Sequence, residues 1–300
     1  MKKEVVVITG ANGLVAKKLI SVLSQKYEIR LLTRTPKSEN EFEWNVEDQK
    51  IDERSLENVD HIVHLAGANI FEKRWSKKRK QEIISSRVDS AKLLLKTLRK
   101  TQHPLKTFVS ASAVGYYGAV TTDHIFDEKD EPGHDFLAEV VKKWENAALQ
   151  FEESGASKVV ILRAGVIISE HGAALEKMVN PIKKGIGSPL GSGRQYMPWI
   201  SINDFFNLIK MSLEHSQISG IYNAVAPQHI TNKELTLAIA KKLNKKIWLP
   251  NVPAVALQLL FGESSSMILE GSRVSSEKLS RTGFIFEHPN IDKVLQDFLQ

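Results

Sequence analysis

A glycine-rich turn close to the first residue combines the residue types and the spacing that hold a pyrophosphate. Residues 5–16 read VVVITGANGLVA, so Gly10, Gly13 and Ala16 follow a Gly-x-x-Gly-x-x-Ala pattern. Gly10 permits a tight turn, and Gly13 lets the backbone approach a phosphate with no Cβ in the way. A helix that begins here directs its free N–H groups at that phosphate. The pattern therefore predicts a dinucleotide site.

The same glycine spacing also occurs in ordinary strand-turn-helix units, so the surrounding pattern decides between the two interpretations. Val5 to Ile8 form a short continuous apolar run, as in a parallel strand that is covered on both faces. Residues 14–23 then carry leucine and isoleucine on one face of a helix. This context favours the dinucleotide site, whose predicted contacts are Thr9, Gly10, Asn12, Gly13, Leu14 and Val15.

The end of the second predicted strand indicates which dinucleotide binds. An acidic residue about 20 positions after the glycine turn holds the ribose 2′-OH of NAD. Here residues 31–35 contain no acid and include Arg34. The charged, planar guanidinium of arginine suits a 2′-phosphate, which favours NADP(H) over NAD(H). The alternative interpretation is a surface arginine at a strand end.

Strand and helix patterns alternate along the first half of the chain, which is typical of a doubly wound parallel sheet. Besides the first strand, strands are predicted at 28–33, 59–65, 105–111 and 157–163. Helices are predicted at 14–26, 76–101 and 134–154. The ligand crevice of such a sheet lies at the carboxyl ends of its strands. Functional residues should therefore gather at 9–13, 33–35, 65–70 and 110–118.

The predicted fold class is α/β, with a Rossmann-type dinucleotide-binding domain over 1–165. A smaller C-terminal, substrate-side lobe is expected over 166–300, with about 200–225 returning to the first domain. Residues 183–195, KKGIGSPLGSGRQ, are interpreted as a glycine-rich substrate-side loop. The remaining elements are predicted as a helix at about 203–215, a strand at 220–224, and helices near 231–243, 253–261 and 290–299.

The composition is that of an ordinary globular protein. The chain has 300 residues, of which 42% are hydrophobic and 25% charged, and it has no cysteine. The lack of cysteine excludes disulfides and thiolate chemistry. The first apolar run is too short for a signal peptide, and no segment reaches the roughly 18 to 20 apolar residues that span a bilayer. We expect a cytoplasmic protein without membrane contact, present as a monomer or homodimer.

The positive charge raises the question of nucleic-acid binding. The formal net charge is +6, and the densest basic cluster lies at 73–80. Clustered lysine and arginine bind phosphates through counterion release. This cluster, however, lacks a nucleic-acid-binding motif and lies where a surface helix should begin. We expect a solvated helix face and no nucleic-acid partner.

Three segments give the chain a specific resemblance to a known superfamily: TGANGLVA (9–16), HLAGAN (64–69) and SASAVGYYG (110–118). The chain resembles the extended short-chain dehydrogenases/reductases, and within them an atypical branch of the NAD-dependent epimerase/dehydratase-like family. The resemblance covers nearly the whole chain and includes a family-specific C-terminal piece at about 250–297. It implies further cofactor contacts at Leu65, Ala66, Gly67 and Arg163.

The chain departs from this superfamily at the proton-transfer pair, a Tyr-x-x-x-Lys in which lysine lowers the pKa of tyrosine. Aligning the helix by Glu145 places Leu137 at the tyrosine position and Val141 at the lysine position. Neither side chain can transfer a proton. None of the five tyrosines has a lysine four residues later. The atypical branch that the chain resembles also lacks the pair.

Ser112 and Tyr117 are the remaining catalytic candidates near the expected nicotinamide. Ser112 resembles the serine of the catalytic strand and could bind a substrate oxygen, and Tyr117 or Tyr116 could act as a displaced acid. The alternative is structural: Ser110 and Ser112 satisfy backbone groups while the tyrosines pack. A tyrosine without a cationic neighbour keeps a pKa near 10.

Other polar residues point to weaker hypotheses. His61 and His64 are three apart on a predicted strand, so they face opposite sides and cannot share a metal; we expect no metal site. Arg194 in the 183–195 loop could pair with an anionic group. Arg74 and Arg87 bind phosphates in one interpretation and make surface ion pairs in the other.

Two functions therefore remain open. The first is an NADP(H)-dependent oxidoreductase or epimerase-like enzyme with a nonstandard proton donor, acting on an unidentified small polar or anionic molecule. The second is a binding protein in which NADP(H) is a structural or sensory ligand, since the usual tyrosine and lysine are absent.

Overall fold

The computed structural model describes residues 3–101, 103–170 and 172–299. The strands are β1 (Val5–Thr9), β2 (Glu28–Thr33), β3 (Glu41–Asn45), β4 (Lys50–Ile51), β5 (His61–His64), β6 (Thr107–Ala113), β7 (Ile125–Phe126), β8 (Val159–Ala164), β9 (Val166–Ile168), β10 (Trp199–Ser201), β11 (Gly220–Ala224) and β12 (Arg273–Val274). The helices are α1 (Leu14–Leu23), α2 (Lys77–Leu98), α3 (Phe136–Glu153), α4 (Ala173–Lys183), α5 (Ile202–Glu214), α6 (Asn232–Lys242), α7 (Ala254–Phe261), α8 (Ser266–Leu269), α9 (Glu277–Ser280) and α10 (Ile291–Phe298).

Within these ranges, eight strands form one central sheet in the order β11-β8-β6-β5-β1-β2-β3-β4. Neighbouring strands run parallel except β3 and β4. The chain builds outward from β1 in both directions, so the strand order reverses between β1 and β5. The predicted Rossmann-type α/β fold is confirmed, and its switch point places a ligand crevice above the carboxyl ends of β1 and β5.

Both faces of the sheet are covered, which explains why β1 is apolar at successive positions. Val6 and Ile8 pack into one buried cluster with α1 and α5. Val5 and Val7 point to the opposite face and join a second cluster with α2 and α3. All four are at most 2% exposed. The alternation of side chains along a strand therefore anchors β1 in two cores at once.

Among the elements that the sequence prediction does not include, β3 and α4 are the longest. β3 has the sequence EFEWN, and only Trp44 in it is buried, because the strand lies near the edge of the sheet and is partly solvated. α4 contains Pro181 in its interior, where proline removes a helical hydrogen bond. Both segments still keep an apolar period, since Phe42 and Trp44 alternate in β3 and α4 buries Leu175, Val179 and Ile182, but the short half-polar run and the proline conceal it.

The second half of the chain adds small elements beside the sheet. β9 pairs with β10, β7 pairs with β12, and α4, α6 and α10 share a third buried cluster. β11 returns to the main sheet beside β8. The division into domains at residue 165 stays a prediction. Among the described residues, no helix is both long and apolar enough to cross a membrane.

Candidate functional site

The glycine turn brings two loops into direct backbone contact at the switch point. Gly10 has φ +69°, and a Cβ there would lie 3.0 Å from the carbonyl carbon and oxygen of Leu65. The Gly13 N–H donates to the Gly10 carbonyl at 2.8 Å. α1 then begins at Leu14, and within the described chain no side chain caps it. Its first N–H groups are therefore available to an anion.

Thr9 and His64 fasten this turn to the loop after β5. The Thr9 hydroxyl accepts hydrogen bonds from the backbone N–H groups of Leu65 (3.0 Å) and Ala66 (3.1 Å). It lies 2.9 Å from Nδ1 of His64, whose Nε2 lies 3.1 Å from the Ser90 hydroxyl on α2. Thr9 is fully buried and its hydroxyl is used within the protein, so its contact with a cofactor stays a prediction.

His64 is a structural residue in this chain of hydrogen bonds. Complete burial lowers its pKa to about 4, which keeps the imidazole neutral at neutral pH. His61, on the opposite side of the strand, instead lies 3.1 Å from the Glu4 carboxylate. Within the described ranges, no group of three or more histidine, aspartate or glutamate side chains is arranged to hold a metal ion.

Arg34 follows β2 at the same edge of the sheet. Its side chain is exposed, and it makes no hydrogen bond or ion pair to another described residue. By contrast, Arg30 on β2 pairs with Glu28 at 2.8 Å. The Arg34 guanidinium is therefore free to meet a phosphate from solvent.

A buried polar network crosses β6, β8 and β11, on the far side of β5 from the glycine turn. The Arg163 guanidinium donates through Nε and Nη2 to the two carboxylate oxygens of Glu145, each at 2.8 Å. Ser112 donates to the same carboxylate at 2.6 Å. Arg163 Nη1 donates to the Tyr117 hydroxyl at 3.1 Å, and that hydroxyl lies 2.8 Å from Oδ1 of Asn223. All five side chains are buried.

The network fixes the ionisation of its members. Burial disfavours the Arg163 cation, but its hydrogen bonds and charge pairing with Glu145 outweigh this and raise its pKa. Burial raises the pKa of the Tyr117 phenol, although Arg163 acts in the opposite direction. Tyr117 therefore stays protonated at neutral pH. Tyr116 lies beside it, with Cζ of Arg163 only 3.3 Å from the centre of its ring.

Comparison with known proteins identifies the family. The model of the NAD dependent epimerase/dehydratase family matches residues 6–224. The chain belongs to this family. A second family model, a domain of unknown function (DUF1731), matches residues 252–298, which corresponds to the predicted C-terminal piece.

Relatives in this family align over the whole chain. An epimerase family protein of Mycobacterium tuberculosis is 36% identical over 298 residues, covering 98% of this chain and 97% of the relative. Epimerase family protein SDR39U1 of Homo sapiens is 31% identical, covering 98% and 99%. The crystal structure of the human protein with NADPH matches with a TM-score of 0.87 at 29% identity, covering 98% of each chain.

A more distant epimerase-family structure shares the fold alone. UDP-glucuronic acid 4-epimerase from Bacillus cereus, in complex with UDP-glucuronic acid and NAD, matches with a TM-score of 0.75 at 14% identity. The match covers 98% of each chain. The same backbone architecture therefore occurs in proteins of very different sequence.

Apolar packing occupies the two positions to which the sequence analysis assigns the superfamily's proton-transfer pair. Leu137 and Val141 lie one turn apart on α3 and are 8% and 4% exposed. A Cβ on Gly115 would lie 3.6 Å from Cβ of Leu137 and 3.8 Å from Cγ2 of Val141. The two side chains thus pack against the turn at 114–117, where the superfamily would present tyrosine and lysine.

The structure brings Ser112, Tyr117 and Arg163 together, but inside the protein. Ser112 and Tyr117 use their hydroxyls within the network, and three nitrogens of Arg163 point at Glu145 and Tyr117. Their roles in catalysis and cofactor contact stay predictions, and this geometry favours a structural role. Leu65, Ala66 and Gly67 line the edge beside Gly10, as the resemblance implies; contact with a cofactor stays a prediction there too.

Sequence reasoning used Glu145 only to align α3 and missed its partners. The signal was present, because Glu145 falls among Val141, Trp144 and Ala148 on the apolar face of the helix. A carboxylate on such a face needs a buried cation. Asn223 carried no comparable signal, since it lies on a strand distant in sequence.

Proposed function

We propose that the chain binds NADP(H) in the crevice above β1 and β5 and uses it in a reductase or epimerase-like reaction on a small polar or anionic substrate. The contact of Gly10 with Leu65 carries this proposal, since it presents bare backbone and the N-terminus of α1 to a pyrophosphate. The NADPH in the human relative's structure and the free Arg34 guanidinium support NADP(H) over NAD(H).

The proton donor that we propose is Tyr116. Leu137 and Val141 cannot transfer a proton, and Tyr117 is buried with a raised pKa. Tyr116 is partly exposed, and its hydroxyl has no hydrogen-bond partner among the described residues. Cζ of Arg163 lies 3.3 Å from the centre of its ring, so the phenol is held in a fixed position against this buried side chain. Ser112 and Tyr117 then act by holding Arg163 in place.

A second candidate function is a non-catalytic NADP(H) sensor or interaction module. The apolar contact of Leu137 and Val141 with Gly115 favours it, because the usual chemistry is replaced by packing. This function requires dinucleotide binding without hydride transfer. Binding to the native state alone would raise stability by about 2.7 kcal/mol at a ligand concentration of 100 Kd.

One set of measurements distinguishes these functions. NADPH and NADH are titrated into the protein and into Arg34→Ala, and turnover is followed by NADPH absorbance on carbonyl compounds and sugar nucleotides. We expect Arg34→Ala to weaken NADPH about tenfold and to leave NADH unchanged. Arg54→Ala is the matched control, because that exposed arginine pairs with Asp52 at the other end of the sheet.

Variants at the two tyrosines then test the proton donor. Loss of turnover in Tyr116→Phe, with turnover retained in Tyr117→Phe, would support the enzyme. Saturable NADPH binding without turnover on any substrate would support the sensor. A wild-type protein that binds neither dinucleotide would overturn both.

A further inference from the structure

Arg87 is an arginine on α2 whose charge has no acidic partner in the part of the chain that the structure describes. Two other arginines in or just before α2 have partners that use their guanidinium groups. Arg79 pairs with Glu82 at 2.7 Å and with Glu72 at 3.2 Å. Arg74 donates to the carbonyl oxygens of Leu259 and Leu260. Among the described residues, no carboxylate lies within ion-pair distance of the Arg87 guanidinium.

The contacts of Arg87 leave its charge uncompensated. Nη1 donates to the Ile83 carbonyl at 3.0 Å and reaches the Ser86 hydroxyl at 3.5 Å, and Nη2 donates to the Ala68 carbonyl at 3.1 Å. Cζ lies 5.0 Å from the centre of the Trp144 ring. These partners are all neutral. A guanidinium has five N–H donors, and two of them, including the one on Nε, are not used by the described residues.

Arg87 remains charged despite these surroundings. Burial, reinforced by the positive charge of Arg79, lowers its pKa to about 10. That value still leaves the guanidinium protonated at neutral pH. A partly buried cation without a counter-charge costs free energy, and an anion that enters the site recovers it.

Arg87 lies at the dinucleotide edge of the sheet. A Cβ on Gly67 would lie 3.1 Å from Cζ of Arg87, so the guanidinium rests directly against the loop that follows β5. Leu65, two residues earlier in that loop, touches Gly10. From the other side the guanidinium faces Trp144 on α3, the residue before Glu145.

We propose that Arg87 binds a carboxylate or phosphate group in the crevice, through the two N–H donors that the described residues leave unused. The anion belongs either to the dinucleotide or to the molecule that binds beside it, and in the second case the substrate is an acid. This inference rests on the proposed function, because it takes the crevice to be a dinucleotide site. Two-donor recognition of planar or tetrahedral oxyanions is the chemistry to which arginine is best suited.

The test compares Arg87→Gln with the wild type and with Arg99→Gln. Arg99 is the C-cap of the same helix and is exposed, and among the described residues its side chain hydrogen-bonds only to the Ser154 hydroxyl, at 2.8 Å, so it controls for loss of an arginine next to α2. NADPH affinity is measured by fluorescence titration. Inorganic phosphate and malonate are then titrated by calorimetry into the ligand-free protein and into protein saturated with NADP⁺.

Two results support the proposal and identify the source of the anion. If Arg87→Gln weakens NADPH at least tenfold and Arg99→Gln does not, the anion belongs to the dinucleotide. If NADPH affinity is unchanged while phosphate or malonate binding falls at least tenfold, the anion belongs to a second molecule. Unchanged binding of all three probes would overturn the proposal and leave Arg87 as a clamp on Ala68 and Ile83.

Two further measurements keep the outcomes separate. Arg87→Lys preserves the charge without the planar fork, and we expect it to fold and to bind the probes more weakly than the wild type even if Arg87→Gln fails to fold. Equal binding by Arg87→Lys and the wild type would count against two-donor recognition. Wild-type protein that binds phosphate but no NADPH would overturn the proposed function while leaving the anion site in place.

Discussion

Arg163 and Glu145 form a buried ion pair with two parallel hydrogen bonds, each 2.8 Å long, between a strand and the helix that covers it. The side chains are 2% and 4% exposed. The Ser112 hydroxyl and the Tyr117 hydroxyl complete the hydrogen bonding of the carboxylate and the guanidinium. Such a pair is retained only when both charges and their remaining donors and acceptors are satisfied.

Removing one charge of this pair should therefore be costly. We expect Glu145→Ala to lower the free energy of unfolding by about 3–5 kcal/mol, because Arg163 is left charged and buried. Glu139→Ala is the control, since this exposed glutamate on the same helix pairs with Lys143 and should cost less than about 1 kcal/mol. Urea unfolding measures both. An equal loss in the free energy of unfolding for the two variants would contradict a structural role for the buried pair.

Tyr117→Phe should destabilise the protein without changing how a substrate is protonated. The substitution leaves Arg163 Nη1 and Asn223 Oδ1 without their partner, at a cost of about 1–3 kcal/mol. Tyr116→Phe removes a hydroxyl with no hydrogen bond to the described residues, so its unfolding curve should match the wild type. A Tyr117→Phe protein of normal stability but without turnover would instead support Tyr117 as the acid.

His64 should make stability depend on pH. Its pKa is about 4 in the folded protein and near 6.5 when unfolded, so the unfolded state takes up the proton first as pH falls. The stabilisation is complete above pH 6.5 and decreases by about 3 kcal/mol as the pH falls toward 4. Urea unfolding across this range, with His64→Gln for comparison, measures the effect. An NMR titration that gave His64 a pKa near 6.5 in the folded protein would contradict this prediction.

Gly10→Ala should abolish dinucleotide binding. It should also lower the free energy of unfolding by more than backbone strain alone would. A left-handed backbone costs a non-glycine residue about 1–2 kcal/mol, and here the new methyl group also meets the Leu65 carbonyl at 3.0 Å. Gly155→Ala is the matched control, because Gly155 has φ +92° and, apart from its chain neighbours, no described residue has an atom within 4 Å of its Cβ position. We expect thermal shift assays with NADPH to show binding by the control only. Binding by both variants would mean that the turn does not hold the dinucleotide.

The sequence predicts the parts of the fold whose signals are local. β1 and α1 follow from a continuous apolar run, a glycine turn and an apolar helix face. β3 and α4 escape prediction because β3 is short and half polar and because Pro181 is a helix-breaking signal, although each segment keeps an apolar period. At the site, the glycine turn is likewise predicted because its signal is local, whereas the network around Arg163 is not predicted because its members are distant in sequence.

The network depends on strand pairing between distant segments. Arg163 on β8 lies opposite Ser112 on β6 and opposite Asn223 on β11. These three residues thus form a single row across the sheet. Their separation along the chain gives no local pattern, and the partners are identified only when the parallel strands are aligned.

This polar row also specifies how β8 sits between its neighbours. Successive strand residues face opposite sides, so shifting β8 by one position would turn Arg163 away from Glu145 and into the cluster that contains Phe205, Leu208 and Ile209. A guanidinium cannot be buried there without a counter-charge. The apolar residues of β8 would tolerate such a slip far better than Arg163 would. One salt bridge therefore selects a single alignment for three strands.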